Sequence, residues 1–231
     1  MNPRASFVIP AYNADRWVSK AILSCRAQTV KQIEIIVVND GSSDSTADIL
    51  DFHAKEDSRV RVFHIEQNKG RSAARNFGNE SAQSKIIMVL DADDLATKNR
   101  AKDTISFFEA KKPDLVYGSF FAMDSIGNAQ NKIVSSPFDP EKAKTQKMNF
   151  ICHSTMAYTK KLSESIQYEE GVYTNLGLDD WKFQWEAYRK GYKILNMKMP
   201  LCYYRLTESG AMATRDPKAV DAAKDAYLGQ I

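Results

Sequence analysis

Short apolar runs alternate with helically spaced stretches along the first 118 residues. Ser6-Phe7-Val8-Ile9 is the first run, and residues 15–28 follow it with helical spacing. Ile33-Glu34-Ile35-Ile36-Val37-Val38 is β-branched; the helical stretch after it, 45–57, places Ile49, Leu50 and Phe52 on part of an apolar face. Val60-Arg61-Val62-Phe63-His64-Ile65 alternates as a strand does, and 72–81 is helical. Ile86-Ile87-Met88-Val89-Leu90 is a continuous run of the kind found in buried strands, 98–111 returns to helical spacing, and Asp114-Leu115-Val116-Tyr117 predicts a fifth strand. Strands alternating with helices predict βαβ units: an α/β fold with a mostly parallel sheet and helices on both faces.

Beyond Gly118 the periodicity weakens, and hairpins or loop are expected to about Pro140. Residues 149–159 predict another strand, and 179–190 a helix stopped by Gly191. Lys193-Ile194-Leu195 and Leu201-Cys202-Tyr203-Tyr204 predict two short strands. Residues 217–228 predict a terminal helix, expected as a plain surface helix rather than a cover over a site or a contact with lipid.

At 231 residues, with neither repeat nor linker composition, a single domain over 1–231 is expected. The charge balance of 32 basic against 29 acidic residues, net +3, argues against nucleic acid as a partner. No apolar run approaches the ~18 residues of a membrane span, and the N-terminus does not read as a signal peptide. Cys25, Cys152 and Cys202 are odd in number and far apart, without metal-ligand spacing, so a reducing, cytoplasmic setting is expected. Asn79-Glu80-Ser81 is taken as a chance glycosylation sequon.

In open α/β sheets ligands bind at the carboxyl ends of the strands. Those ends carry Pro10-Ala11-Tyr12-Asn13, Asn39-Asp40-Gly41-Ser42-Ser43-Asp44, Glu66-Gln67-Asn68-Lys69-Gly70-Arg71 and Asp91-Ala92-Asp93-Asp94. Three carboxylates within four residues repel one another unless a positive group lies between them. Mg²⁺ and Mn²⁺ take hard oxygen ligands, commonly one or two carboxylates plus substrate phosphates. Asp91 and Asp93, two apart in an extended segment, would point the same way, and Asp93 is expected to meet the metal. Asp94 is expected to cap the following helix, whose dipole favours carboxylates. Neither GxxxxGK[ST] nor GxGxxG is present, so a P-loop and a dinucleotide fingerprint are both excluded.

Those four segments, with Asn68-Lys69-Gly70-Arg71-Ser72-Ala73-Ala74-Arg75-Asn76 extending the third, occur in an order that resembles the family 2 glycosyltransferases of GT-A fold. The acidic trio resembles that family's DXD motif, and Gly177-Leu178-Asp179-Asp180-Trp181 its acidic "ED" motif. The resemblance implies inverting transfer of a sugar from a nucleotide-sugar, with UDP favoured, to a hydroxyl acceptor. Residues 1–118 would bind the nucleotide and 119–231 the acceptor. It implies that Asp40 meets the base, that Pro10 and Tyr12 line the base and ribose site, and that Asp91 holds the ribose. Asp93 would hold Mn²⁺ or Mg²⁺, Arg71 would meet the donor, and Asp180 would be the general base, with Asp179 the lesser candidate. Arg75 either meets the donor or supports the sheet edge.

Trp185 is assigned to the core, and Trp181 to the core or to acceptor stacking. His153 falls near the acceptor side as a site residue or a buried structural histidine. The chain departs from many relatives in carrying Thr207 where they have a late histidine, so water would complete the metal's shell. The implied role is bacterial surface polysaccharide or glycoconjugate synthesis. A saccharide or lipid-linked saccharide would be the acceptor, and the latter would bring peripheral contact with the membrane face. The rivals are a sugar-nucleotide nucleotidyltransferase, which would need a Gly-rich loop after the first strand, and a non-catalytic nucleotide-sugar binder.

Overall fold

The computed structural model describes residues 2–146, 151–206 and 216–229. In chain order the elements are β1 (Ala5–Ala11), α1 (Val18–Arg26), β2 (Ile33–Asp40), α2 (Thr46–Glu56), β3 (Val60–Ile65), α3 (Arg71–Ser81), β4 (Ile86–Val89), β5 (Leu95–Ala96), α4 (Arg100–Lys111), β6 (Leu115–Met123) and β7 (Ala129–Ile133). There follow α5 (Pro140–Gln146), a 3₁₀ turn (His153–Thr155), β8 (Ala157–Thr159), α6 (Lys160–Ser165), α7 (Val172–Asn175), α8 (Asp179–Arg189), β9 (Ile194–Arg205) and α9 (Pro217–Leu228). The sheet order is β3-β2-β1-β4-β8-β6-β9-β5, with β7 folded back on β6.

The first four strands in that order pair in parallel. β8 runs antiparallel to both β4 and β6, β9 lies parallel to β6, and β5 closes the far edge antiparallel to β9. β2 is buried along its whole length, as a parallel strand covered on both faces must be. The two-residue period sorts its neighbours cleanly. Phe7, Ile9, Ile35 and Val37 face a core shared with α1, α2 and α4, whereas Val8, Ile36, Val38, Ile87 and Val89 face one shared with α3, α6 and α8. α3 lies close on the sheet because position 78 is glycine: a Cβ there would stand 2.5 Å from Val8 Cγ1.

The second half departs from the sequence expectations. Gly118 does not end a strand; β6 runs through it to Met123 and turns back as the exposed β7. A Cβ at 118 would sit 2.5 Å from the Met199 carbonyl oxygen, so this glycine marks a close strand approach. The strand expected over 149–159 is only Ala157–Thr159, with the 3₁₀ turn ahead of it; residues 149 and 150 lie outside the described residues. The two short strands expected near 193 and 201 are one strand, β9, irregular where Lys198 takes a left-handed φ of 56° and where the pairing with β6 shifts register.

α9 is not a plain surface helix. Asp216 caps it by accepting from the Lys218 N–H, and Tyr227 and Leu228 are buried with Trp181, Trp185, Leu178 and Ala143 in a third apolar cluster. Of the cysteines, Cys25 and Cys202 are buried and Cys152 is half-buried. Burial pushes the Cys25 thiol up to about 12 and raises that of Cys202 as well.

Candidate active site

β1, β2, β3 and β4 end on one edge of the sheet, so their following loops meet there. Tyr12, 52% exposed, stands at the mouth after β1, beside half-buried Pro10. The loops after β1 and β2 are laced together: the Asn13 N–H donates to Ser42 Oγ (3.0 Å) and the Ser43 N–H to Asn13 Oδ1 (2.9 Å). Asp40 is only 2% exposed. Its two carboxylate oxygens accept from the Lys69 N–H (2.9 Å) and the Gly70 N–H (2.8 Å), and its carbonyl accepts from Asn68 Nδ2 (3.1 Å). Asp40 therefore anchors the entry to α3, and its carboxylate oxygens keep acceptor capacity beyond those two bonds for the base it was expected to meet. Gly41 (φ 68°) permits this, since a Cβ would lie 2.7 Å from the Asn68 nitrogen.

The acidic trio is a turn, not an extended segment, closed by the Asp94 N–H on the Asp91 carbonyl (3.1 Å). Asp91 and Asp93 thus lie on a turn and not on one face of a strand. Asp91 Oδ1 accepts from Arg75 (2.8 Å) with His153 Nδ1 at 3.6 Å. The Arg75 guanidinium, with the imidazole beside it, outweighs burial and holds this carboxyl well below the ordinary range. Asp93 is half-buried, and burial together with Asp91 raises its carboxyl to about 6. Asp94 does not cap α4, whose N-cap is Asn99. It is buried, with Oδ1 accepting from the Arg205 N–H (2.8 Å), Oδ2 without a hydrogen-bond partner, and a carboxyl raised by burial and by Asp93.

α3 presents one polar face to the segment 168–179, and this is why its motif carries few large apolar residues. Arg71 donates to Asp179 Oδ1 (2.9 Å) and to the Thr174 carbonyl (2.8 Å), and Ser72 Oγ lies 2.6 Å from Thr174 Oγ1. Arg75 bonds Asp179 as well as Asp91, and Asn76 donates to the Tyr168 carbonyl (2.8 Å). Asn79 accepts from Tyr158 Oη (3.1 Å), so the sequon asparagine is committed to the interior. Arg71, expected to meet the donor, is thus directed to Asp179.

Asp179 is buried between the two arginines, which lower its carboxyl against the effect of burial. Its neighbour Asp180 is half-buried, and burial and then Asp179 raise its carboxyl, partly offset by His153. A carboxyl whose pKa is raised beside a site suits a general base.

His153 is buried, with Nε2 3.0 Å from Tyr168 Oη, so the structure joins it to the Asp91 cluster. Trp181 is 1% exposed and packed against Trp185 and Tyr227, which removes it as an acceptor platform; Trp185 is in the core as expected. Arg75 and Tyr168 complete the cluster. The four-residue spacing from Arg71 to Arg75 put both on one helix face, whereas nothing in the sequence marked Tyr168. A further serine–histidine contact, Ser19 Oγ to His53 Nε2 at 2.9 Å, is not a nucleophile pair. Arg26 donates to Nδ1 (3.1 Å), so neutral His53 carries its proton on Nε2 and cannot accept one from Ser19.

Among the described residues no three His, Cys, Asp or Glu side chains form a group able to hold a metal ion by themselves. The donor set nonetheless fits Mg²⁺ or Mn²⁺: Asp93 offers a hard, half-buried carboxylate whose raised proton affinity a nearby cation would relieve, and phosphate oxygens supply the remaining ligands in sites of this type. Thr207 lies outside the described residues.

Comparison with known proteins bears on the family and the fold. The family model described as glycosyl transferase family 2 matches residues 6–166, more than half of the chain. An uncharacterized glycosyltransferase of Haemophilus influenzae is 34% identical over 134 residues, covering 58% of this chain and 53% of its own length. GlyG, a glycosyltransferase of Streptococcus pneumoniae, is 28% identical over 93% of this chain and 74% of its own. TuaG of Bacillus subtilis, named for teichuronic acid biosynthesis, is 26% identical over 92% of this chain and 83% of its own. The chain thus spans about half of the first relative and most of the other two. Among solved structures, S. aureus TarS in complex with UDP-GlcNAc superposes with a TM-score of 0.75 at 19% identity, over 98% of this chain and 71% of that one. The mannosyltransferase PcManGT from Pyrobaculum calidifontis, solved with GDP-Man and Mn²⁺, gives 0.70 at 17% over 99% of this chain and 70% of that one. The fold is that of the GT-A glycosyltransferases. The chain belongs to glycosyl transferase family 2, as its motifs implied. Among the described residues, no helix is long and apolar enough to cross a membrane.

Proposed function

We propose that this chain transfers a sugar from a nucleotide-sugar to a hydroxyl of a saccharide or lipid-linked saccharide, inverting the anomeric centre. The observation that carries this reading is the convergence of the acidic start of α8 on the strand ends: Arg75 touches both Asp91, after β4, and Asp179, the neighbour of Asp180. The nucleotide side is residues 1–118, where Pro10 and Tyr12 receive the base and ribose. Asp40 shapes that pocket through the backbone of Lys69 and Gly70. The acceptor side is 119–231.

Asp91 presents its open edge to the ribose hydroxyls. Asp93, with the donor's diphosphate oxygens, would hold Mn²⁺ or Mg²⁺, an ion that when bound neutralises charge growing on the departing diphosphate. Asp180 takes the acceptor's proton as the hydroxyl attacks, a contribution of roughly 10²–10⁴-fold. Its raised carboxyl places the acid limb of the rate above the ordinary carboxylate range, with activity rising as pH rises. UDP is the favoured nucleotide, supported by TarS with UDP-GlcNAc; GDP, present in PcManGT with GDP-Man, is the competing choice. A role in polysaccharide synthesis is supported by the naming of TuaG; its setting in this reading is the cytoplasm, with peripheral contact at the membrane if the acceptor is lipid-linked. The loop after β1 contains no glycine, which disfavours a nucleotidyltransferase.

The test is a thermal-shift panel of nucleotides and nucleotide-sugars with and without Mn²⁺, followed by nucleotide-sugar hydrolysis. A UDP ligand at 100 times its Kd should stabilise the chain by about 2.7 kcal/mol. Asp93→Ala and Asp180→Asn should each lower turnover at least ~100-fold. Stabilisation by no nucleotide, with metal present, would sink the reading.

A further inference from the structure

Resting on the transferase reading, we infer that Arg75 is a positioning residue that couples the donor pocket to the helix carrying the base, so that occupancy of one sets the geometry of the other. Its guanidinium is 6% exposed and spans two carboxylates from distant parts of the chain: one nitrogen lies 2.8 Å from Asp91 Oδ1 and another bonds Asp179 Oδ2. It also stacks over the Tyr168 ring at 5.4 Å, while Nε has no hydrogen-bond partner. Arg71 shares Asp179 from the turn before.

The two ends of this bridge differ in firmness. Arg75 stands on α3, which the missing Cβ at Gly78 lets settle on β1. Asp179 opens α8, which has no side-chain N-cap. The segment before it contains α7, which has no buried residue, and is flanked by Gly171 and Gly177 at φ of 123° and 66°. The arginines tie the start of α8 to the donor edge through Asp179. The Asp91 side chain is 27% exposed, so a ligand can reach it. A hydroxyl or cation that engages Asp91 competes with the guanidinium for that carboxylate, and a guanidinium held less by Asp91 pairs more fully with Asp179. By linkage the effect runs equally from Asp179 to the donor. If Arg75 merely neutralised two buried carboxylates, substitution at 179 would change stability and leave nucleotide affinity alone.

The experiment is a double-mutant cycle read by calorimetric titration of UDP in the presence of Mn²⁺, on the whole chain. Asp179→Asn should change the UDP Kd at least ~5-fold in the wild-type background and less than ~2-fold in an Arg75→Lys background. Equal changes in both backgrounds, or none in the first, overturn the coupling while leaving the transferase reading intact. Failure of the wild-type chain to bind any nucleotide overturns that reading and the coupling with it. Should Arg75→Lys not fold, Asp179→Glu replaces it: its longer carboxylate still reaches the guanidinium and should return the Kd to within ~2-fold of wild type, and failure of this rescue overturns the inference.

Discussion

Asp57 shows how a single side chain can carry a pH dependence far from any site. Its carboxylate accepts from Arg59 through the backbone N–H, Nε and a terminal nitrogen, and from Arg26 Nε at 3.1 Å. These contacts, led by the Arg59 side chain, lower its pKa from 3.8 to about 2. Because the folded value is depressed, the stabilisation is complete above the unfolded value and is lost as pH falls through the folded one. We expect Asp57→Asn to cost about 1–2 kcal/mol near neutrality. In urea unfolding followed from pH 7 downward, that difference should shrink between pH 4 and pH 2. At this scale the sequence was partly legible. Residue types and order singled out Asp91, Asp93 and Asp180 as candidates, because metal and base chemistry need carboxylates. Whether a carboxylate is free or spent was not legible: Asp40 and Asp179 look alike in sequence, and only tertiary contacts show backbone N–H groups on one and arginines on the other.

In the second half the longer helices α8 and α9 were legible, whereas α5, α6 and α7, at one or two turns each, were too short to show a period and were not read. Helical spacing is internal to the segment, and α8 was read to within a residue. Strands there take their identity from partners. β6 passes through Gly118 because β9 lies against it, and β9 survives a left-handed Lys198 because the pairing resumes beyond it. α9 looked exposed because only one narrow face of it packs, from Val220 and Ala223 to the buried Tyr227 and Leu228. Tyr227 donates from Oη to Glu186 (2.7 Å) and meets Trp181 edge-on at 5.5 Å, bracing α8 from behind the base. Removing only the hydroxyl in Tyr227→Phe should cost about 1 kcal/mol. Tyr227→Ala should cost about 3–5 kcal/mol by opening a cavity beside Trp181, and Trp181→Phe in that background should cost less than it does alone. Chemical denaturation of the wild type and the four variants measures both effects.

The whole molecule joins a regular half to an irregular one. Through β4 each parallel strand is followed by its crossover, so βαβ logic alone recovers architecture and ligand edge. The placement of β8 between β4 and β6 could not be read this way, since it depends on long-range antiparallel pairing of three residues. The irregular half nonetheless returns α8 to the regular half's ligand edge, and the family match extends across the join to residue 166.

The seclusion of the cysteines has a practical consequence. With Cys25 and Cys202 inside and their thiols reluctant to ionise, an alkylating reagent at neutral pH should modify Cys152 alone in the intact molecule, and all three once the chain opens. Mass-resolved labelling would then count opened molecules directly, giving the protein its own built-in gauge of integrity without an added dye.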